Sequence, residues 1–343
     1  RVADASGARV ADASGDQGLA DPDAADSGPW DAGDAAPAPP DGAPPGPPDA
    51  APPVLDPALF DCTSLGPDGT RLPMRASPVP IACALDPTCL IPQVAAHRGA
   101  GGQLGVLAPE DTLAAYRAGI ALGVEYVETD PRPTLDGVLV NMHDPGVART
   151  TDGQGAVDQL TFDQVRSLRI EAAGFAGDFS CERVPTLTEI LQTCRGRVVV
   201  LIDANKTDRV DLLVQAVHDA DALDWAVFDT SSVDKIERAL ALEPRLRVMP
   251  RPDTAEQVIA QLDRLAPVVP VIVEVPPGAV EALAPLIHAR GSRVFTDVFA
   301  QDFIAAGTGD LSYYQRLFDQ GADILQSDRP DLVQAALRAR GDR

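Results

Sequence analysis

Lysine is almost missing from this chain: it occurs twice, at 206 and 235, against 26 arginines. Aromatic residues make up 4% and histidine occurs four times in 343 residues. No apolar run reaches the ~18 residues that a membrane-spanning helix needs. With 51 acidic against 28 basic side chains the formal charge is −23, which makes nucleic acid or an anionic membrane surface a poor partner. A local basic pocket can still hold one phosphate. The five cysteines include no Cys-x-x-Cys pair of the kind that binds zinc, and their odd number leaves one thiol over in any disulfide scheme.

The first sixty residues contain no Glu and no Lys but eleven Asp and twelve Pro, and Arg-Val-Ala-Asp-Ala-Ser-Gly at 1 to 7 returns at 9 to 15. Such a segment has little to bury, and its prolines and like charges favour extended, solvated conformers. Residues 1–75 are therefore expected to form a disordered tether ahead of a catalytic domain at 76–340. A tether of this kind, a first residue that is not Met, and cysteines at 62, 83, 89, 181 and 194 lead to the expectation of an extracytoplasmic protein, periplasmic, cell-surface or secreted. An internal linker is the plain alternative. The cysteine pairing is not legible.

From about residue 94 short apolar runs alternate with amphipathic stretches, the pattern of strands alternating with helices around a parallel sheet. Nine strands are expected: 94–97, 125–130, 138–142, 198–204, 225–228, 246–249, 270–275, 293–297 and 323–326. Thr134-Leu135-Asp136-Gly137 is too short for the dozen or more residues of a parallel crossover, so the third run is expected to return as a β-hairpin. Eight strands remain, which fits a (β/α)8 TIM barrel; an open doubly wound sheet is the rival. Residues 145–185, with one helical stretch near 161–169, are expected to form a small cap insertion at the mouth.

The chemistry gathers between 94 and 144. His97-Arg98-Gly99 closes one apolar run and His143-Asp144 another, at the strand ends where a barrel carries its catalytic groups. Glu128 and Asp130 are two apart on a strand and share a face, where two carboxylates repel unless a cation lies between them. Hard oxygen ligands select Ca²⁺ or Mg²⁺. The alternative for this pair is a strand end dipping into solvent, and a lone histidine at a strand end is often structural. Glu110, Asp111 and Thr112 stand where a helix begins, and ordinary helix-start chemistry accounts for Asp111 and Thr112. His218 and His288, in helical patterns near their C-terminal ends, are assigned no chemistry.

These motifs resemble the glycerophosphodiester phosphodiesterase family. The resemblance rests on His97-Arg98-Gly99, Pro109-Glu110-Asp111-Thr112, Glu128-Thr129-Asp130, Thr134-Leu135-Asp136-Gly137 and His143-Asp144. It continues through Arg183-Val184-Pro185-Thr186-Leu187, Val198 to Asp203, and Gly321 to Pro330, so it covers roughly 94 to 335. It implies a (β/α)8 barrel that cleaves a glycerophosphodiester to glycerol phosphate and an alcohol, with His97 and His143 as acid and base. It also implies a divalent cation on Glu128, Asp130 and Asp203, with Arg98, Glu110 and Lys206 meeting the substrate. Where the family has Glu-x-Lys this chain reads Asp203-Ala204-Asn205-Lys206, which shortens the ligand by a methylene and displaces the lysine by one residue. Phospholipase D-like action on lysophospholipid or sphingomyelin is a second enzymatic reading. A catalytically silent binding barrel is a third, which the intact His97, Glu128, Asp130 and His143 oppose.

Overall fold

The computed structural model describes residues 52–65 and 72–343. Ten strands and ten α-helices follow one another as β1 (Gln93–Ala96), α1 (Leu113–Leu122), β2 (Tyr126–Thr129), β3 (Pro131–Pro133), β4 (Leu139–Asn141), α2 (Phe162–Ser167), α3 (Leu187–Cys194), β5 (Val199–Asp203), α4 (Val210–Asp219), β6 (Ala226–Thr230), α5 (Val233–Leu242), β7 (Arg247–Pro250), α6 (Ala255–Leu265), β8 (Ile272–Glu274), α7 (Val280–His288), β9 (Arg293–Asp297), α8 (Phe299–Thr308), α9 (Ser312–Asp319), β10 (Ile324–Ser327) and α10 (Pro330–Arg340). Eight of the strands form one parallel sheet in the order β7-β6-β5-β2-β1-β10-β9-β8. Its two end strands, β7 and β8, lie side by side without a hydrogen-bonded ladder, so the barrel is nearly closed.

Burial on both faces explains the near-continuous apolar strands. Alternate residues fill the interior, among them Ala95, Tyr126, Leu201, Val227, Met249, Ile272, Phe295 and Ile324. Their neighbours Val94, Val127, Val200, Phe228, Val248, Val273 and Leu325 face the helical layer. Helix starts are written locally: Thr112 caps α1, and Thr161 with Gln164 and Thr186 with Glu189 form capping boxes on α2 and α3.

The expected strands are present, and the run at 138–142 does form a hairpin, pairing antiparallel as β4 with β3. Sequence reading missed β3 itself, Pro131-Arg132-Pro133, because proline cannot donate to a ladder and marks only an edge. The insertion folds as expected into a small cap, whose Val147, Val157, Val165 and Val184 pack with Val140 and Met142 of the hairpin arm.

The expected tether needs correction where it can be seen. Residues 1–51 and 66–71 lie outside the described residues, but 52–65 pack on the barrel: Phe60 is 1% exposed, its carbonyl accepts from Arg117 Nε at 2.8 Å, and Cys62 is disulfide-bonded to Cys181. Arg75 likewise donates to the Val124 carbonyl at 2.9 Å and pairs with buried Glu125 at 2.6 Å. A segment of few apolar residues can dock when one aromatic ring and a disulfide carry it. Cys83 pairs with Cys89 and Cys194 is free and buried.

The same N-terminal stretch closes the barrel's lower end. Ala84, on a 3₁₀ turn at Ile81–Leu85, joins the interior cluster. Arg293, 1% exposed, reaches the carbonyl of Cys83 at 3.1 Å and Gln93 Oε1 at 2.8 Å, so its charge is enclosed among oxygen acceptors.

Candidate active site

Side chains along a strand alternate, so each interior row continues two residues beyond its last apolar member. Ala95 is followed inward by His97, Tyr126 by Glu128 and then Asp130, Leu201 by Asp203, and Val227 by Asp229. Met249 is followed by Arg251, Ile272 by Glu274, Phe295 by Asp297, and Ile324 by Gln326 and Asp328. The upper layer of the barrel is thus polar at every strand, and all of it lies at the C-terminal strand ends.

Glu128, Asp130 and Asp203 come together there, each offering an oxygen within 4.8 Å of the others, and all three are buried. Burial and the carboxylates of Asp130 and Asp203 push Glu128 well above the usual carboxylate range. Asp130 is raised by burial, but Lys206, His143 and Arg98 outweigh this and hold it low. Asp130 Oδ2 is buried without a hydrogen-bond partner, as is Arg98 Nε, 3.6 Å away. Two buried groups of opposite sign, paired at 3.6 Å but each without a hydrogen bond, fit a site that holds a hard cation and an anion together.

Both histidines are gripped from behind. Nδ1 of His97 lies 2.7 Å from Asp328 Oδ1, and Nδ1 of His143 lies 2.9 Å from Asp144 Oδ1. An ionised carboxylate only accepts, so each Nδ1 carries the proton and each Nε2 is left for other chemistry. His97 Nε2 sits 3.8 Å from Glu128 Oε2, and its ring stacks on Phe299 at 4.3 Å. Burial and the Arg98 charge hold His97 below the usual histidine range, while its proton bond holds Asp328 down to about 2 against the effect of burial.

Arg98 takes a left-handed conformation, φ 50°, which turns its backbone N–H onto Glu128 Oε2 at 3.0 Å while Nη1 donates to Glu110 Oε1 at 3.0 Å. Glu110 also accepts two bonds from Arg149, at 2.5 and 3.0 Å. Asp111 is left-handed as well, φ 59°, and does not cap the helix; its carboxylate accepts from Asn141 Nδ2 at 2.7 Å and from the His143 N–H at 3.0 Å. Thr112 alone does the capping. Asn141 in turn accepts from the Asp130 N–H at 2.7 Å, tying the hairpin to the acidic pair.

Lys206 reaches the site in spite of its displacement. The 3₁₀ turn Ala204–Lys206 carries its Nζ to 3.6 Å from Asp130 and 3.7 Å from Asp203, with its side chain 4% exposed. Beyond it Arg251 bonds Asp229, lies 3.0 Å from Glu274 and 3.7 Å from Asp203. Burial raises both Asp229 and Glu274 to about 8. His218 and His288 stand apart, paired with Glu243 and Asp323 in the last turns of α4 and α7.

All eight residues singled out from sequence, His97, Arg98, Glu110, Glu128, Asp130, His143, Asp203 and Lys206, are connected through these contacts. Asp111, Asn141, Arg149, Asp229, Arg251, Glu274, Phe299, Gln326 and Asp328 were not foreseen. Continuing each interior row by two residues would have found those on β6 to β10; nothing in the sequence pairs Arg149 with Glu110.

The model of the glycerophosphoryl diester phosphodiesterase family matches residues 97–332. Mouse glycerophosphodiester phosphodiesterase 1 is 44% identical over 110 residues, 32% of this chain and 32% of that protein, so the match spans about a third of this relative. A glycerophosphoryl diester phosphodiesterase from Parabacteroides distasonis shares the fold with a TM-score of 0.64 at 22% identity, covering 76% of this chain and 93% of that one. An Oleispira antarctica phosphodiesterase, solved with the product sn-glycerol-3-phosphate, aligns with a TM-score of 0.60 at 23% identity over 74% and 99% of the two chains. The family match takes in every one of the foreseen residues, and this chain belongs to the glycerophosphoryl diester phosphodiesterase family.

Proposed function

We propose that this protein hydrolyses glycerophosphodiesters to glycerol phosphate and an alcohol, with Ca²⁺ or Mg²⁺ held by Glu128, Asp130 and Asp203. The observation that carries the reading is the pair of histidines, each with Nδ1 fixed by a carboxylate, set around an acidic triad and an orphaned Arg98 Nε. A divalent cation at the triad supplies Lewis-acid neutralisation of phosphoryl charge.

The chain's own groups do the rest. Arg98 Nε and Lys206 Nζ supply positive charge for the phosphate's non-bridging oxygens, and Glu110 keeps the guanidinium of Arg98 turned toward them. His97, held neutral by burial and by Arg98, accepts the proton of the attacking hydroxyl, which belongs to water or to the substrate's own glycerol. A new P–O bond forms as the bond to the alcohol breaks, and His143, carrying a proton on each ring nitrogen for this step with Nδ1–H held by Asp144, gives its Nε2 proton to the departing oxygen. Attack by the glycerol hydroxyl gives a cyclic phosphate first, which water then opens.

The two disulfides Cys62–Cys181 and Cys83–Cys89 support an extracytoplasmic location, where thiols are oxidised. The test of function is turnover of a panel of glycerophosphodiesters by purified protein, before and after chelation. Activity lost on chelation and restored by Ca²⁺ or Mg²⁺ is expected. Full turnover after exhaustive chelation removes the metal, and no turnover of any diester removes the reading.

A further inference from the structure

Arg149 lies on the loop that leads from β4 into the cap, six residues past His143, and its side chain is 35% exposed. Its guanidinium makes four charge-assisted hydrogen bonds to two carboxylates. Nη1 and Nη2 meet the two oxygens of Glu110 at 3.0 and 2.5 Å, and Nε and Nη2 meet those of Asp144 at 2.6 and 3.2 Å. Each carboxylate holds a group of the site with the same oxygen that faces Arg149. Asp144 Oδ1 grips Nδ1 of His143 at 2.9 Å, and Glu110 Oε1 receives Nη1 of Arg98 at 3.0 Å.

We propose that Arg149 is a positioning residue that fixes the tautomer of His143 and the fork of Arg98 together through Asp144 and Glu110. The fork geometry is the reason an arginine is needed: a planar guanidinium satisfies two carboxylates at once, where an ammonium offers a point charge. Without it Asp144 keeps only the imidazole as a charged-group partner among its described contacts and is free to rotate toward solvent. Nδ1 then loses its fixed acceptor, so the ring is no longer held with Nδ1 protonated and Nε2 kept as the nitrogen that takes up and gives the acid's proton. Glu110 is left with Arg98 alone, which also loosens that fork. Because Arg149 belongs to the cap loop, the acid-base histidine and the phosphate fork come into order only when that loop is seated. Arg149 touches neither reacting atoms nor substrate in this scheme.

The inference rests on the proposed phosphodiesterase reading for its kinetic arm only. Arg149→Ala and Arg149→Lys are compared with wild type and with Asp144→Asn, all shown to be folded by their thermal midpoints. Two readouts are taken: kcat and KM on the best diester of the panel, and the ¹⁵N signature of the His143 imidazole, assigned with His143→Gln. Arg149→Ala is expected to lower kcat at least tenfold with KM changed less than threefold, and to shift His143 from one tautomer to a mixture. Lysine restores less than half of the lost rate. The double variant with Asp144→Asn falls no further than the worse single variant, because Arg149→Ala already removes what Asp144 contributes. A kcat within twofold of wild type, an unchanged His143 signature, or additive losses in the double variant each overturn the proposal. If wild type turns over no diester, the functional reading fails, while the imidazole signature still decides whether Arg149 sets the tautomer.

Discussion

Gly102 occupies a spot with no room for a side chain. A Cβ placed there would stand 2.4 Å from Asp328 Oδ1 and 2.8 Å from His97 Nδ1, in the middle of the bond that orients the histidine. The Gly102 N–H itself donates to that Asp328 oxygen at 2.7 Å. Gly102→Ala must therefore push the pair apart, and a displacement near 1 Å costs on the order of 10²-fold in rate. That loss in kcat, with cation affinity unchanged, is the expected measurement. His97→Ala and His143→Ala should each lower turnover on the order of 10²-fold or more with the fold intact, as loss of a positioned acid or base does. Asp328 makes a separate pH prediction. Its folded value of about 2 lies below the ordinary 3.8, so the stability it contributes is fully present above about pH 4 and disappears as pH falls through 2. Urea midpoints of wild type and Asp328→Asn should differ at pH 7 and converge toward pH 2.

The strand β5 with its short turn carries the chain's departure from Glu-x-Lys. Asp203 ends the strand and accepts from the Asn205 N–H at 2.8 Å, which tightens the turn and swings Lys206 inward. Asp203→Asn is expected to weaken cation binding while leaving an oxygen able to coordinate, so that raised metal concentration restores part of the rate. Lys206→Ala should lower kcat without altering the metal titration, since its charge is assigned to the phosphate. Unaltered metal dependence in Asp203→Asn would remove that residue from the triad. This element also shows where the sequence was legible. Val198 to Ile202 announces a strand by its apolar run, and the acid at its end is conspicuous because it breaks the run. Asp229, Arg251 and Glu274 close their apolar runs in the same way, but they fit no familiar motif, and Arg251 sits one residue beyond β7. The contact of Glu110 with Arg149 spans 39 residues and two loops, a distance over which no local pattern carries information. Asp111 was read as helix-start chemistry because a carboxylate there is common; its left-handed backbone, invisible in sequence, aims it at His143 instead.

At the scale of the whole molecule, the docked N-terminal arm decides how far the chain can be shortened. Removing 1–51 should leave turnover and thermal midpoint unchanged. Extending the deletion through 75 removes Phe60, Cys62 and Arg75 from their contacts with α1, Cys181 and Glu125, and should lower the midpoint clearly. Cys62→Ser tests the covalent part alone, with an expected cost of about 2–5 kcal/mol in urea unfolding, as for other native disulfides. Equal stability of the two truncations would show that the arm rests on the barrel without supporting it. The Cys62–Cys181 bond has one more consequence. It joins residues 119 apart, and the covalent ring so formed contains His97, Arg98, Glu110, Glu128, Asp130, His143 and Arg149, while Asp203, Lys206 and Asp328 lie outside it. A protease that cuts once within the cap's exposed stretches before residue 181 would open the ring but release nothing. The nicked protein would run as one species until the disulfide is reduced, and only then part into two pieces, each holding half of the site.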